Sequence, residues 1–326
     1  MSRQVVVCAP NWLGDAVMAL PAIAAVRAHW PDASIDVAAR QSVAPLFTLV
    51  PGVTPLTLPA SRKEAAALLR TRHFDLAILL PNSFHSAWLA REAGIPKRWG
   101  YATDFRSLLL TRRVARPFRI HQSEFYSHLV RTLGIPVTDP MPRVSVSIEQ
   151  RDSGRVLLES IGWHHETPLV ALAPGAAFGG AKRWPAPSFA ELADRLAADG
   201  VQSVLIGTAA DQAATREVME RMRATPLDLT GRTDLPMLAG VLVHARGLVT
   251  NDSGAMHLAA ALGVNIVALF GPTRERETHP LGTGRQIVMT NPVWCRPCML
   301  RECPLTGRCL RGIAPARVFA EVRSLS

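Results

Sequence analysis

Lys182 stands at the end of a run of small residues, Ala173-Pro174-Gly175-Ala176-Ala177-Phe178-Gly179-Gly180-Ala181-Lys182-Arg183-Trp184-Pro185. Small side chains let backbone N–H groups close on an anion, and a helix start beyond them adds partial positive charge. The lysine adds a full charge. The loop therefore suits a phosphorylated donor, with Gly175, Lys182 and Arg183 as candidate contacts. The competing reading is an ordinary flexible connection with a solvated lysine. A second run, Thr250-Asn251-Asp252-Ser253-Gly254-Ala255-Met256-His257, follows an apolar stretch and opens a helix. Small Ser253 and Gly254 leave backbone donors available there, which suits a diphosphate. Asp252 can accept from sugar hydroxyls. His257, one turn beyond Gly254, either faces the same ligand or is a hydrogen-bonded structural histidine. Near the start, Pro10-Asn11-Trp12-Leu13-Gly14-Asp15 joins a strand to a helix. Asp15 could take a proton from an incoming hydroxyl; from spacing alone it reads as a helix N-cap. The run is neither the Gly-x-Gly-x-x-Gly of a dinucleotide site nor a Walker loop.

Such residues need rigid elements to hold them. Apolar runs at 4–9, 34–39, 76–80, 169–173, 201–206, 248–250 and 266–269 read as strands, and 143–148 alternates like one. Helical patterns cover 16–29, 61–72, 86–93, 124–133, 187–198, 211–223, 234–244, 254–262 and 314–325. The alternation predicts a parallel sheet flanked by helices in each half. The aperiodic stretch 163–168 divides the chain into domains of residues 1–165 and 166–326. Sheets of this kind take ligands at the C-terminal ends of their strands, where the runs above lie.

Length and composition agree. A chain of 326 residues, 48% hydrophobic, is long enough for two full cores. Its net charge of +10 points to an anionic partner: nucleic acid, anionic lipid or a charged glycan. Aromatics at 6% and the lack of a Lys/Arg block speak against a single-strand nucleic-acid surface. No apolar run reaches the length of a membrane-spanning helix. The first nine residues read as a strand rather than a signal peptide, so a cytoplasmic protein is expected. Cys8 reads as a core residue. Cys295, Cys298, Cys303 and Cys309 could close a tetrahedral zinc site; free thiols in a loop are the alternative.

Four motifs occur in order: Asn11-Trp12-Leu13-Gly14-Asp15, Leu80-Pro81-Asn82-Ser83-Phe84, the Pro-Gly-Ala…Ala-Lys-Arg-Trp-Pro loop, and Thr-Asn-Asp-Ser-Gly-x-Met-His. Together they resemble the ADP-heptose:lipopolysaccharide heptosyltransferases of glycosyltransferase family 9, most closely type II. The resemblance implies an α/β, GT-B architecture, two Rossmann-like domains with parallel sheets facing a central cleft. It implies an N-terminal acceptor-binding domain and a C-terminal ADP-heptose-binding domain. The implied activity is inverting transfer of L-glycero-D-manno-heptose from ADP-heptose onto the first heptose of the lipopolysaccharide inner core. No cofactor is implied, and the chain has no Asp-x-Asp metal motif. Asp15 matches the general base. Lys182 matches the donor-phosphate contact. Asp252 matches the acidic residue near the donor heptose, with Ser253, Gly254 and His257 in the same pocket. On the acceptor side stand Asn11, Asn82, Ser83 and His85. Arg62, Lys63, Lys97, Arg98 and Arg106 are cations suited to an acceptor's carboxylates and phosphates. The expected partners are ADP-heptose, the inner-core acceptor and, peripherally, the cytoplasmic face of the inner membrane, with no nucleic acid. Gly180 departs from the pattern, since type II sequences often have Pro there. The alternatives are another heptosyltransferase of the same family (type I or a later heptose) or a basic, non-catalytic protein that binds nucleic acid or membrane.

Overall fold

The computed structural model describes residues 3–103 and 105–325. One unit runs through Ser145 and the other from Val146. In the first, β1 (Gln4–Cys8), β2 (Ser34–Arg40), β3 (Thr54–Leu58), β4 (Leu76–Leu79), β5 (Lys97–Tyr101) and β6 (Arg112–Val114) form a parallel sheet in the order β3-β2-β1-β4-β5-β6. Its helices are α1 (Leu13–Met18), α2 (Leu20–His29), α3 (Arg62–Thr71), α4 (Phe84–Glu92) and α5 (Gln122–Thr132). Val5 lies level with Ile35 on one side and Leu76 on the other, so the middle of the sheet is continuous aliphatic packing. Val6, Cys8, Leu69, Leu79 and Leu109 belong to the core.

The second unit begins with α6 (Ile148–Ser160). Its strands are β7 (Leu169–Ala173), β8 (Gln202–Leu205), β9 (Leu227–Asp228), β10 (Gly247–Asn251), β11 (Ile266–Phe270) and β12 (Gln286–Thr290), ordered β12-β11-β10-β7-β8-β9 and parallel. Its other helices are α7 (Ala186–Ala198), α8 (Gln212–Met219), α9 (Leu235–Leu242), α10 (Gly254–Ala261), α11 (Glu275–Thr278), α12 (Arg308–Arg311) and α13 (Pro315–Arg323). Both sheets start at their centre, wind to one edge, then return and wind to the other. Ligands of such sheets bind where the order reverses, outside the strand ends. Those points lie between β1 and β4 and between β7 and β10.

The fold corrects three expectations. The division falls after Ser145, earlier than the expected 165/166. The reason is α6, which packs on α9 so closely that a Cβ on Gly154 would lie 2.2 Å from the carbonyl carbon of Gly240. The stretch 143–148 is not a strand. Ser147 caps α6 instead: its hydroxyl accepts from the Gln150 N–H, and the Gln150 side chain accepts from the Ser147 N–H at 2.9 Å. The helix expected over 16–29 is two, parted at Ala19, because Pro21 sits in the first turn of α2 and supplies no N–H.

Candidate active site

Two motif loops meet at the reversal point of the second sheet. The small-residue loop leaves β7, and the Asn251–Gly254 segment leaves the adjacent β10, whose Thr250 is in register with Ala173. Asn251, fully buried, joins them. Its amide donates to the Pro174 carbonyl at 2.9 Å and its Oδ1 accepts from the Trp184 N–H at 2.9 Å. Trp184 is itself buried, stacked edge-on against Phe189, with its indole N–H on the Ile313 carbonyl. The loop is thus bolted at both ends, and the reading of a freely flexible connection does not hold. Between the bolts, Lys182 Nζ lies 2.6 Å from Asp252 Oδ2, with the two side chains 13% and 7% exposed. Thr273, also buried, donates to the same carboxylate oxygen at 2.7 Å. Ser253 is the N-cap residue of α10, yet its side chain caps no helix N–H and instead meets Thr250 Oγ1 at 3.0 Å. The first N–H groups of α10 therefore keep donor capacity beside Lys182 and Asp252. Gly254 opens the helix, and His257 is buried within it.

Several contributors were not singled out from the sequence. Gly175 backs onto Asp211 so closely that a Cβ would lie 2.1 Å from Asp211 Oδ1. Asp211 in turn accepts from the Thr208 N–H and hydroxyl; the Thr-x-x-Asp spacing at 208–211 was the available signal. The cysteine-rich segment braces the Lys182 loop. Glu302 accepts from the Gly180 N–H at 2.9 Å, and the Arg301 carbonyl accepts from the Ala181 N–H at 2.9 Å. Gly179, at φ +150°, has no room for a Cβ against that carbonyl. Nothing in the local sequence announces a contact across so many residues.

At the reversal point of the first sheet, Asp15 is not the N-cap of α1. Trp12 occupies that position and Asp15 lies in the first turn. Tyr126 on α5 donates to Asp15 Oδ1 at 3.2 Å. Burial, and next the Asp15 charge, push the Tyr126 phenol well above its ordinary pKa, so it stays a donor. Past the C-terminal ends of β1 to β4 opens a groove of about 840 Å³ lined by Asn11, Arg40, Arg62, Ser83 and His85 among others. Ser83 also caps α4 through the Ser86 N–H, and the Asn82 carbonyl accepts from Thr103. Asn82 Oδ1 is buried with no hydrogen-bond partner among the described residues.

Other expected residues lie elsewhere. Lys97 and Arg98 open β5, level with the start of β4 and so at the opposite sheet edge from the groove. The Arg98 guanidinium is spent on the Leu109, Ile95 and Pro96 carbonyls. Arg106 is fully buried, not presented to a ligand; it ties the Tyr101, Pro81 and Ser83 carbonyls together and so shapes the groove's lip. Arg62, by contrast, lines the groove and pairs with Glu92 at 3.4 Å, while Lys63 is exposed on α3. Arg183 lines a separate cavity of about 710 Å³ with Glu217, Glu302 and Arg311, apart from the Lys182–Asp252 pair. Cys295, Cys298, Cys303 and Cys309 line one cavity of about 520 Å³. Among the described residues, no group of three or more His, Cys, Asp or Glu is placed to hold a metal ion. Burial raises the Cys309 thiol above its ordinary pKa, and burial takes Cys8, a core residue, up to about 12.

Comparison with known proteins places this geometry. The model of glycosyltransferase family 9 (heptosyltransferase) matches residues 62–308. The chain is 33% identical to lipopolysaccharide heptosyltransferase 2 of Escherichia coli K12, over 87% of each chain. It is 31% identical to the Salmonella typhimurium heptosyltransferase 2, over 99% of this chain and 98% of that one. The solved structure of the E. coli ADP-heptose lipopolysaccharide heptosyltransferase II matches with a TM-score of 0.84 and 31% identity, covering 99% and 98% of the two chains. A family 9 glycosyl transferase from Veillonella parvula, 23% identical, shares the fold at a TM-score of 0.86. The chain belongs to glycosyltransferase family 9, a group of GT-B enzymes, and is a glycosyltransferase of α/β, Rossmann-like construction.

Proposed function

We propose that this family 9 glycosyltransferase moves L-glycero-D-manno-heptose from ADP-heptose onto the first heptose of the lipopolysaccharide inner core. The observation that carries the reading is the near-full-length likeness to heptosyltransferase 2 proteins. The geometry supports matching roles. The acceptor sugar occupies the groove beside Asn11 and Ser83, with the unpartnered Asn82 amide oxygen near its rim. Its hydroxyl oxygen attacks the anomeric carbon of the donor as the bond from that carbon to the phosphate oxygen breaks. Asp15 takes the hydroxyl proton, and ADP departs with the bonding electrons. One displacement inverts the anomeric centre.

The transition state carries growing charge on the departing diphosphate. Lys182 has three N–H donors and spends one on Asp252, so two remain for the phosphates. The N–H groups at the start of α10 add to this. Asp252 and Thr273 hold the ammonium in place before donor arrives. Asp252 also serves as acceptor for donor-heptose hydroxyls. This machinery supplies the positive charge that a metal supplies in other transferases. The enzyme works in the cytoplasm, touching the inner membrane that carries its acceptor; among the described residues, no helix is long and apolar enough to cross a membrane.

The test is ADP release from ADP-L-glycero-β-D-manno-heptose. Release that requires an acceptor bearing one heptose is the expected result. Release with a heptose-free acceptor makes the activity type I. Release with no acceptor makes it a hydrolase, and no release under any condition overturns the reading.

A further inference from the structure

Residues 105–119 contain five arginines and no carboxylate. The same segment carries three large apolar side chains held out in water: Phe105 is 97% exposed, Leu108 82% and Phe118 81%. Single exposed apolar residues are ordinary; a set gathered with cations is not. Phe105 also takes a left-handed backbone, φ 57°, uncommon for a bulky residue. The set is local. Phe105 follows the end of β5 and Phe118 follows the end of β6, and those ends are register neighbours, Tyr101 beside Val114. Both segments leave the C-terminal edge of the first sheet, the edge on which the groove opens. They are fastened to it. Thr103 donates to the Asn82 carbonyl at 2.9 Å, and Arg106 reaches the Pro81 and Ser83 carbonyls. Arg106 and Arg112 have structural work, the latter on the Leu133 carbonyl and over the Trp99 ring. Arg113, Arg116 and Arg119 are exposed, Arg116 with its guanidinium 5.7 Å from the Phe125 ring.

We propose that this edge docks on an anionic phospholipid bilayer. Phe105, Leu108 and Phe118 enter the interfacial layer, and Arg113, Arg116 and Arg119 meet headgroup phosphates. Apolar side chains among arginines are the combination that anionic interfaces take up, while neutral ones offer no electrostatic attraction. The biological sense of this docking rests on the proposed function, because it sets the acceptor groove beside the membrane that carries the acceptor. The binding itself needs neither substrate.

Co-sedimentation with vesicles tests it, using the full chain without donor or acceptor. The chain should bind phosphatidylcholine vesicles that contain phosphatidylglycerol, release in high salt, and ignore pure phosphatidylcholine. F105D/L108D/F118D should lose at least tenfold in partitioning. R113E/R116E/R119E should lose about fivefold or more for each arginine replaced. Both variants should keep the melting temperature of the parent and its ADP release with a deacylated, water-soluble acceptor. Equal binding to neutral vesicles, binding to neither, or variants that bind like the parent would overturn the proposal. Anionic-vesicle binding without heptosyl transfer would sink the functional reading and leave the docking surface standing.

Discussion

Asp15 and Tyr126 form a unit whose chemistry is set by burial. The phenol is pushed well above its ordinary pKa by burial first and by the Asp15 charge second, so it donates throughout the neutral range. A donor on a carboxylate favours the ionised form and keeps the base available at lower pH. Tyr126→Phe should therefore shift the acidic limb of the kcat/KM profile to higher pH, by up to about one unit. The sign follows directly: with the donor gone, Asp15 protonates sooner as pH falls, and activity is lost sooner. A profile that keeps its acidic limb would remove Tyr126 from this role. Asp15→Asn should lower kcat at least about a hundredfold while calorimetry shows donor affinity intact, since only the proton acceptor changes. The sequence made Asp15 legible as a carboxylate at a strand end, but Tyr126 lies far along the chain on another helix, and no local pattern ties the two.

Mostly buried strands were legible and partly exposed ones were not, β5 among the latter although it lies inside its sheet. β7 and β11 are buried at every residue and read as unbroken apolar runs. β3, β5, β6 and β12 are partly exposed, and their sequences TPLTL, KRWGY, RRV and QIVMT carry polar residues or Pro that hide a strand. The loops show the same divide. Lys-Arg-Trp-Pro announced a site, but the sequence could not say that Trp184 anchors the loop while Arg183 turns away from the lysine's partner. Asn251 carries the joint between β7, β10 and this loop. Asn251→Ala would strand the Trp184 N–H and free the Pro174 and Gly175 carbonyls. Each buried group left unmatched costs about 1–3 kcal/mol. The variant should lose about 2–4 kcal/mol in denaturant unfolding and, because Lys182 is carried by the same loop, should raise the KM for the donor. Unchanged stability and KM together would show that the loop holds its shape without the amide.

At the scale of the whole molecule, the two sheets repeat one winding, and each places its motifs at its own reversal point. The alternation of strands and helices in each half made that repeat legible in the sequence. The same reading misplaced the boundary. The aperiodic stretch 163–168 resembles a linker, yet it lies within the second unit, between α6 and β7. The α6–α9 packing rests on glycines whose missing side chains let the two backbones meet, with Gly240 leaving only 2.2 Å between a Cβ and the Gln150 carbonyl oxygen. A fragment of residues 146–326 keeps that interface, whereas 166–326 leaves the α9 face, with nothing opposite Gly240, open to water. The longer fragment should melt as one cooperative transition in calorimetry, and the shorter should melt at a clearly lower temperature or lack a transition. Gly154→Val in the full chain gives the same answer by another route: the side chain cannot fit, so the second unit should lose about 1–3 kcal/mol or more. Equal melting of the two fragments would mean that α6 is an ornament on the second unit and would return the functional boundary to the neighbourhood of residue 165.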